Sequence, residues 1–389
     1  MAAQVPGARL KVLYLIDGLL IGGAEKSLLE IIRRFRVTEA IVCTLYRSVP
    51  LRPAYEAAGL RVIGLDLPER YHFADGVWRV RELVRRERPA LLHATLFRAG
   101  IVARLASIGT GIPLVDSFVN ESYSPMRGRW LGPVQRLKWQ GIRWIDRLTA
   151  PRVNAFIANS QTVALANARA LRVPMERIRV IPRGRNPLDF PRRPAADLQR
   201  QRQALGLSED DWCLLCVGRF WPVKRQADIL RALPLILAAV PKTRLLLAGD
   251  GPERGALVKL AGRLGVAERV AFLGFRHDIP DILALAEVVI SASEYEGLPG
   301  AVVESMLAER PLVLSRIPIH AEMIREEETG LFFNLYDPTD LARQVLRLRA
   351  EPDLGPRLAR AAAVVARECY DVARVAARYE AIYRELCDG

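Results

Sequence analysis

Two glutamates, Glu296 and Glu304, flank the turn Gly297-Leu298-Pro299-Gly300, just after an apolar run that ends at Ile290. One carboxylate can stand before a helix and the other on its first turns, both facing one ligand. Carboxylates accept hydrogen bonds from sugar hydroxyls, and backbone N–H groups of Leu298, of Gly300 after Pro299, and of their neighbours can donate to the same molecule. An acidic helix start favoured by the macrodipole explains either glutamate taken alone. A second group follows another apolar run: Val217-Gly218-Arg219, with Lys224 five residues beyond Arg219. A guanidinium fork and a flexible ammonium suit a diphosphate, although singly they are ordinary surface charges. The third is Gly22-Gly23-Ala24-Glu25. Glycines there let backbone approach a ligand, and a helix start offers N–H groups to an anion. A plain tight turn fits that tetrapeptide equally well, and it is not a dinucleotide-binding GxGxxG.

These residues need strands and helices to hold them. Apolar runs of buried-strand type recur at Val12–Ile16, 40–45, 61–65, 90–93, 113–118 and 155–158, and again at 212–217, 243–248, 270–273, 288–291 and 312–314. Helix-like stretches separate most of them, which predicts parallel sheets wrapped by helices on both faces. With 389 residues, two α/β domains are expected: residues 1–186 and 187–368, joined through the Pro- and Arg-rich stretch 187–200, with a closing helix over 369–389. Two doubly wound sheets in series predict a ligand cleft at their carboxyl ends. The composition, 51% hydrophobic and 26% charged, excludes collagen-like, disordered and disulfide-scaffold chains. No apolar run reaches membrane-spanning length, and no cleavable signal pattern precedes Lys11, so a cytoplasmic chain is expected. Cys213 and Cys216 form a CxxC inside a strand-like run, with no second pair, and read as structural.

Taken together and in order, these fragments resemble the retaining glycosyltransferases of family 4, which have the GT-B arrangement of two facing Rossmann-like domains. The resemblance also covers Leu247-Ala-Gly-Asp-Gly-Pro252, Phe272-Leu-Gly-Phe275, Thr329-Gly-Leu-Phe332 and the closing helix, which in that fold crosses back to the N-terminal domain. It implies a nucleotide-sugar donor, as substrate and not cofactor, and a hexose moved to an acceptor hydroxyl; the alternatives are a non-catalytic donor-binding partner subunit and a nucleotide-sugar epimerase on the same scaffold. Glu304 would hold the ribose and Glu296 the sugar hydroxyls. Arg219 and Lys224 would neutralise the departing diphosphate, with Gly22 and Gly23 assisting, and Phe275-Arg276-His277 would flank the base. No Asp-x-Asp follows a strand, and the two cations with a helix start can replace a metal, so metal independence is expected. Relatives often carry a histidine where this chain has Val119-Asn120-Glu121; Asn120 would offer a hydrogen bond, or the acceptor side is built differently. His93 matches another common histidine, with a structural role as the alternative. Arg183 and Arg185 are extra cations that would serve an anionic acceptor or bridge the domains.

Charge is unevenly divided. Residues 1–190 hold 30 Lys and Arg against 15 Asp and Glu, a net of +15, whereas the remainder is close to neutral. Such a field attracts anions, yet no nucleic-acid motif accompanies it, and no specific nucleic-acid partner is expected. Within it, Arg127–Leu148 reads as an amphipathic helix. Trp130, Val134, Leu137, Gly141, Trp144 and Leu148 share a stripe among Arg129, Arg136, Lys138, Arg143 and Arg147. Either the stripe packs into the core, or the helix lies on an anionic membrane surface with Trp130 and Trp139 as anchors, at the inner face of the cell membrane and serving a lipid-linked acceptor.

Overall fold

Strands buried on both faces are largely apolar, and the runs named above are predominantly so, with single polar residues such as His93 and Asp116 inside them. The computed structural model describes residues 9–68, 72–124 and 132–388. Strands β1 (Leu10–Ile16), β2 (Thr38–Tyr46), β3 (Arg61–Leu67), β4 (Leu91–Thr95), β5 (Leu114–Phe118), β6 (Ala155–Ala158) and β7 (Ile178–Val180) form one parallel sheet in the order β3-β2-β1-β4-β5-β6-β7. A second parallel sheet, in the order β10-β9-β8-β11-β12-β13, contains β8 (Trp212–Val217), β9 (Thr243–Ala248), β10 (Val270–Gly274), β11 (Val288–Ser291), β12 (Leu312–Ser315) and β13 (Leu331–Phe333). In each, strand order reverses once, between β1 and β4 and between β8 and β11. The three-residue strands β7 and β13 are too short to show a period of their own, and sequence reading passed over both as strands.

The chain divides into two units, residues 1–185 with 372–389, and residues 186–371. The division near 368 expected from sequence falls later because the Leu354–Cys369 helix runs to Cys369, with Ala362 and Ala366 in the second unit's core. The next helix begins at Val372. The stretch 187–200, expected to be irregular, contains the start of the Ala195–Ala204 helix, with Pro194 at its N-cap. Cys213 and Cys216 are free, buried in β8, and burial pushes both thiols up to about 12.

In the first unit, the Val372–Asp388 helix covers one sheet face: Val375, Tyr379 and Tyr383 pack with Tyr14, Ile16 and Leu28. Its Tyr383 hydroxyl is hydrogen-bonded to Tyr14 and lies 2.6 Å from His93 Nδ1, and His93 Nε2 is 2.7 Å from the Ser117 hydroxyl. Glu380 accepts from the backbone N–H groups of Arg36 and Val37. On the other face, the Pro133–Thr149 helix is tied down by a buried ion cluster. Arg104 donates to Asp116 at 2.7 Å and to Asp146, whose second oxygen accepts from the Tyr123 hydroxyl at 2.6 Å. The apolar stripe of this helix is turned outward and does not enter the core. Trp139, expected as an anchor, instead packs inward and donates to the Ser122 carbonyl at 3.3 Å. Residues 127–131, including Arg127, Arg129 and Trp130, lie outside the described residues.

Burial holds the His93 imidazole neutral, lowering its pKa to about 3. The unfolded chain takes up a proton on this residue near pH 6.5 and the folded one only near 3, so stability falls as pH is lowered through that window. Wild-type melting temperature should therefore drop between about pH 6.5 and 4, and the His93→Gln variant should show a shallower drop in the first unit's transition.

Candidate active site

Open parallel sheets bind ligands beyond the carboxyl ends of their strands, where the strand order reverses. In the second unit that point lies between β8 and β11, which pair at Leu214–Val288 and Leu215–Val289. The loops leaving them carry Arg219 and Lys224 on one side and Glu294, Glu296 and Leu298 on the other. The Glu294 N–H donates to the Val223 carbonyl at 2.8 Å, stitching the loops together. Beneath them runs the Gly249-Asp250-Gly251 turn after β9. Gly249 has φ +148° and lies against the Gly218 carbonyl, an approach that any Cβ would block. The Phe220 N–H donates to the Asp250 carbonyl at 2.9 Å, so the Arg219 segment is held from below.

At the centre, the Lys224 ammonium is ion-paired with Glu296 Oε1, which also accepts from the Ser293 hydroxyl at 2.8 Å. Burial would raise the Glu296 pKa, but the Lys224 charge, its hydrogen bond and the Ser293 hydroxyl hold the carboxyl below its ordinary range. Glu296 is thus an anion at neutral pH although largely buried. Sequence reading placed these two residues in one site but not in contact. It missed His320, whose buried ring pairs through Nδ1 with the Ser315 carbonyl at 2.8 Å. Ser315 in turn donates from its hydroxyl to the Ser293 carbonyl at 2.6 Å. Burial lowers the His320 pKa to about 4, so a neutral imidazole props the loop that carries Glu296. A lone histidine in Pro318-Ile-His320 carries no signal of this in sequence.

The remaining expected donor residues lie around this pair. Glu304 is half-buried on the Gly300–Leu307 helix, whose N-cap is Pro299; Leu298 is buried beneath the turn. The Arg219 guanidinium lies 5.7 Å from the Trp221 ring centroid, and its carbonyl accepts from Gln226 at 3.1 Å. Phe275 is half-exposed after β10 and meets His277 edge-on, while Arg276 is turned aside onto Asp278 at 2.8 Å. Among the described residues no group of three His, Cys, Asp or Glu side chains could hold a metal ion.

Gly22, Gly23, His93, Asn120 and Arg183 belong to the first unit. Gly22 and Gly23 open the Gly23–Ile32 helix beside its own strand reversal, and the Arg183 guanidinium lies 2.7 Å from where a Gly23 Cβ would stand. A cavity of about 30 Å³, room for a water or two, is lined by Ser27, Thr95, Ser117, Asn159, Arg183 and Tyr379. Asn159 was not singled out from sequence. It is buried, donates to the Val119 carbonyl at 2.8 Å, and leaves its Oδ1 without a hydrogen-bond partner among the described residues. Asn120 accepts from the Ser122 hydroxyl at 3.0 Å. His93, expected on the acceptor side or in a structural role, has no accessible surface and both ring nitrogens engaged.

Residues 197–364 match the family described as Glycosyl transferases group 1, and residues 22–184 match Glycosyl transferase 4-like domain. The chain is 34% identical over 160 residues to the putative glycosyltransferase EpsD of Bacillus subtilis, 41% of this chain and 42% of that one; the match spans less than half of that relative's length. It is 28% identical to the alpha-D-kanosaminyltransferase of Streptomyces kanamyceticus, covering 80% of this chain and 81% of the relative. The crystal structure of Anabaena HepE with UDP-glucose shares the fold, with a TM-score of 0.85 at 24% identity, over 96% of this chain and 99% of that one. Both sheets are thus those of the GT-B fold.

Removing one partner of a buried pair strands the other charge. Lys224→Met should destabilise the second unit by about 3 kcal/mol in urea unfolding, and adding Glu296→Gln should recover at least ~1 kcal/mol, a coupling read from the double-mutant cycle.

Proposed function

The chain belongs to the family 4 type of glycosyltransferases, and we propose that it moves a hexose from a nucleoside-diphosphate sugar to an acceptor hydroxyl with retention of configuration. The observation that carries this reading is the largely buried Lys224–Glu296 pair at the strand reversal of the second sheet. A cation and an anion fixed side by side, under a turn that presents backbone N–H groups, match a ligand that is anionic at one end and rich in hydroxyls at the other. In this reading Glu296 accepts from the sugar hydroxyls and Glu304 from the ribose. The backbone at Leu298 and Gly300 donates beside Pro299, and Phe275 and Arg276 flank the base.

During transfer the bond from the anomeric carbon to the diphosphate oxygen breaks, and its electron pair leaves with the diphosphate. The acceptor oxygen bonds to that carbon on the same face, and its proton passes to the departing diphosphate. Lys224 and Arg219 stabilise the charge that develops there, which is where fixed charges in such a site accelerate the reaction most, and in this role they take the place of a metal. The acceptor is lipid-linked or anionic, and on the first unit Arg183 supplies a cation for it.

A thermal-shift panel of UDP-, GDP-, ADP- and TDP-sugars tests the donor site. At ~100 times its dissociation constant a donor should stabilise by about 2.7 kcal/mol. One nucleotide should stand out, and Glu304→Ala should abolish its effect; a panel with no response at all would sink the reading. With the active donor in hand, Glu296→Gln should lower kcat by about a hundredfold or more, in the presence of a chelator as in its absence.

A further inference from the structure

A helix on the surface of a soluble unit ordinarily carries one apolar stripe, turned to the core, with polar residues opposite. The Pro133–Thr149 helix carries two. Trp139 and Ile142 pack on the first unit's core, and Asp146 is buried against Arg104 and Tyr123. On the far side, at 3.6 residues per turn, Val134, Leu137, Trp144, Ile145 and Leu148 form a second stripe. These five side chains are 47–73% exposed. Arg136, Arg143 and Arg147 lie along one flank and Lys138 along the other. The Arg147 guanidinium sits 5.4 Å from the Trp144 ring centroid. Asp146, the only acid on the helix, points into the core.

We propose that this outward face docks on an anionic bilayer, the helix lying in the headgroup plane with Leu137, Trp144 and Leu148 at the acyl boundary. Charge complementarity selects that occupant. The stripe is apolar at its centre and cationic at both edges, the pattern an interfacial helix needs, and residues 1–190 carry a net charge of +15. A second copy seated on the same face would bring two cationic surfaces together. A nucleic acid would find phosphate partners at the edges but aliphatic side chains in between. Each cation at an anionic surface strengthens binding about fivefold. The surface is independent of the donor site, and its test reads binding alone.

The full chain is sedimented with vesicles of phosphatidylcholine, alone or mixed with phosphatidylglycerol. Binding should appear only with the mixed vesicles. It should weaken severalfold as salt rises from about 0.1 M to about 1 M, which shortens the screening length from ~10 Å to ~3 Å. The exposed double variant Leu137→Glu/Leu148→Glu should bind at least tenfold more weakly, with an unchanged melting temperature. Trp144→Gln, a milder change, should weaken binding in the same direction. Failure of the wild-type chain to bind mixed vesicles, or equal binding by the variants, overturns the assignment. So does a concentration-dependent dimer that the double variant abolishes, which would give the face to a second copy.

Discussion

A parallel strand covered by helices on both faces has little place along its length for a charge, and Asp116 in β5 is kept there by Arg104 beside it, so chemistry is displaced to the turns beyond its carboxyl end. That constraint organises both units. In the second it brings the loops after β8 and β11 side by side, because those strands are neighbours although seventy residues of chain separate them. Arg219, Lys224, Glu296 and the start of the Gly300–Leu307 helix therefore share one edge of the sheet. The first unit repeats the plan with its Gly22-Gly23 turn and the cavity at the ends of β4, β5 and β6.

Within that edge the electrostatics are local. A carboxylate as covered as Glu296 would ordinarily be driven toward its neutral form; Lys224 and Ser293 keep it charged. Lys224 brings to this contact a flexible stem with a compact charge. His320 below holds the loop through Ser315.

Much of this was legible in the sequence. Predominantly apolar runs marked eleven of the strands, since a doubly buried strand is mostly apolar. The Glu296 to Glu304 segment and the Arg219–Lys224 spacing announced themselves because glycine, proline and charge cluster right after such runs. What stayed hidden depends on packing across long sequence separations. The direct Lys224–Glu296 contact, the prop at His320, the buried Asn159 side chain and the Arg104 cluster each join segments that no local pattern relates. Periodicity located the stripe on the Pro133–Thr149 helix but could not say which side faced the core, because the inner face is held by Trp139, Ile142 and an ion pair, not by a run of aliphatic residues. His93 shows the converse: a residue type that suggests chemistry, placed where Tyr14, Ser117 and Tyr383 close it off.

The Val372–Asp388 helix belongs to the first unit, yet every residue of the second is translated before it. Tyr14, Leu28 and His93 keep an uncovered face until Tyr379 and Tyr383 arrive. The usual order of synthesis, in which an N-terminal domain finishes first, is therefore inverted: residues 186–371 form a continuous unit able to complete itself on the ribosome, while the sheet made earliest is the one closed last. The nascent chain carries an open apolar sheet face through most of its own synthesis, and that interval is when a chaperone has the most to cover.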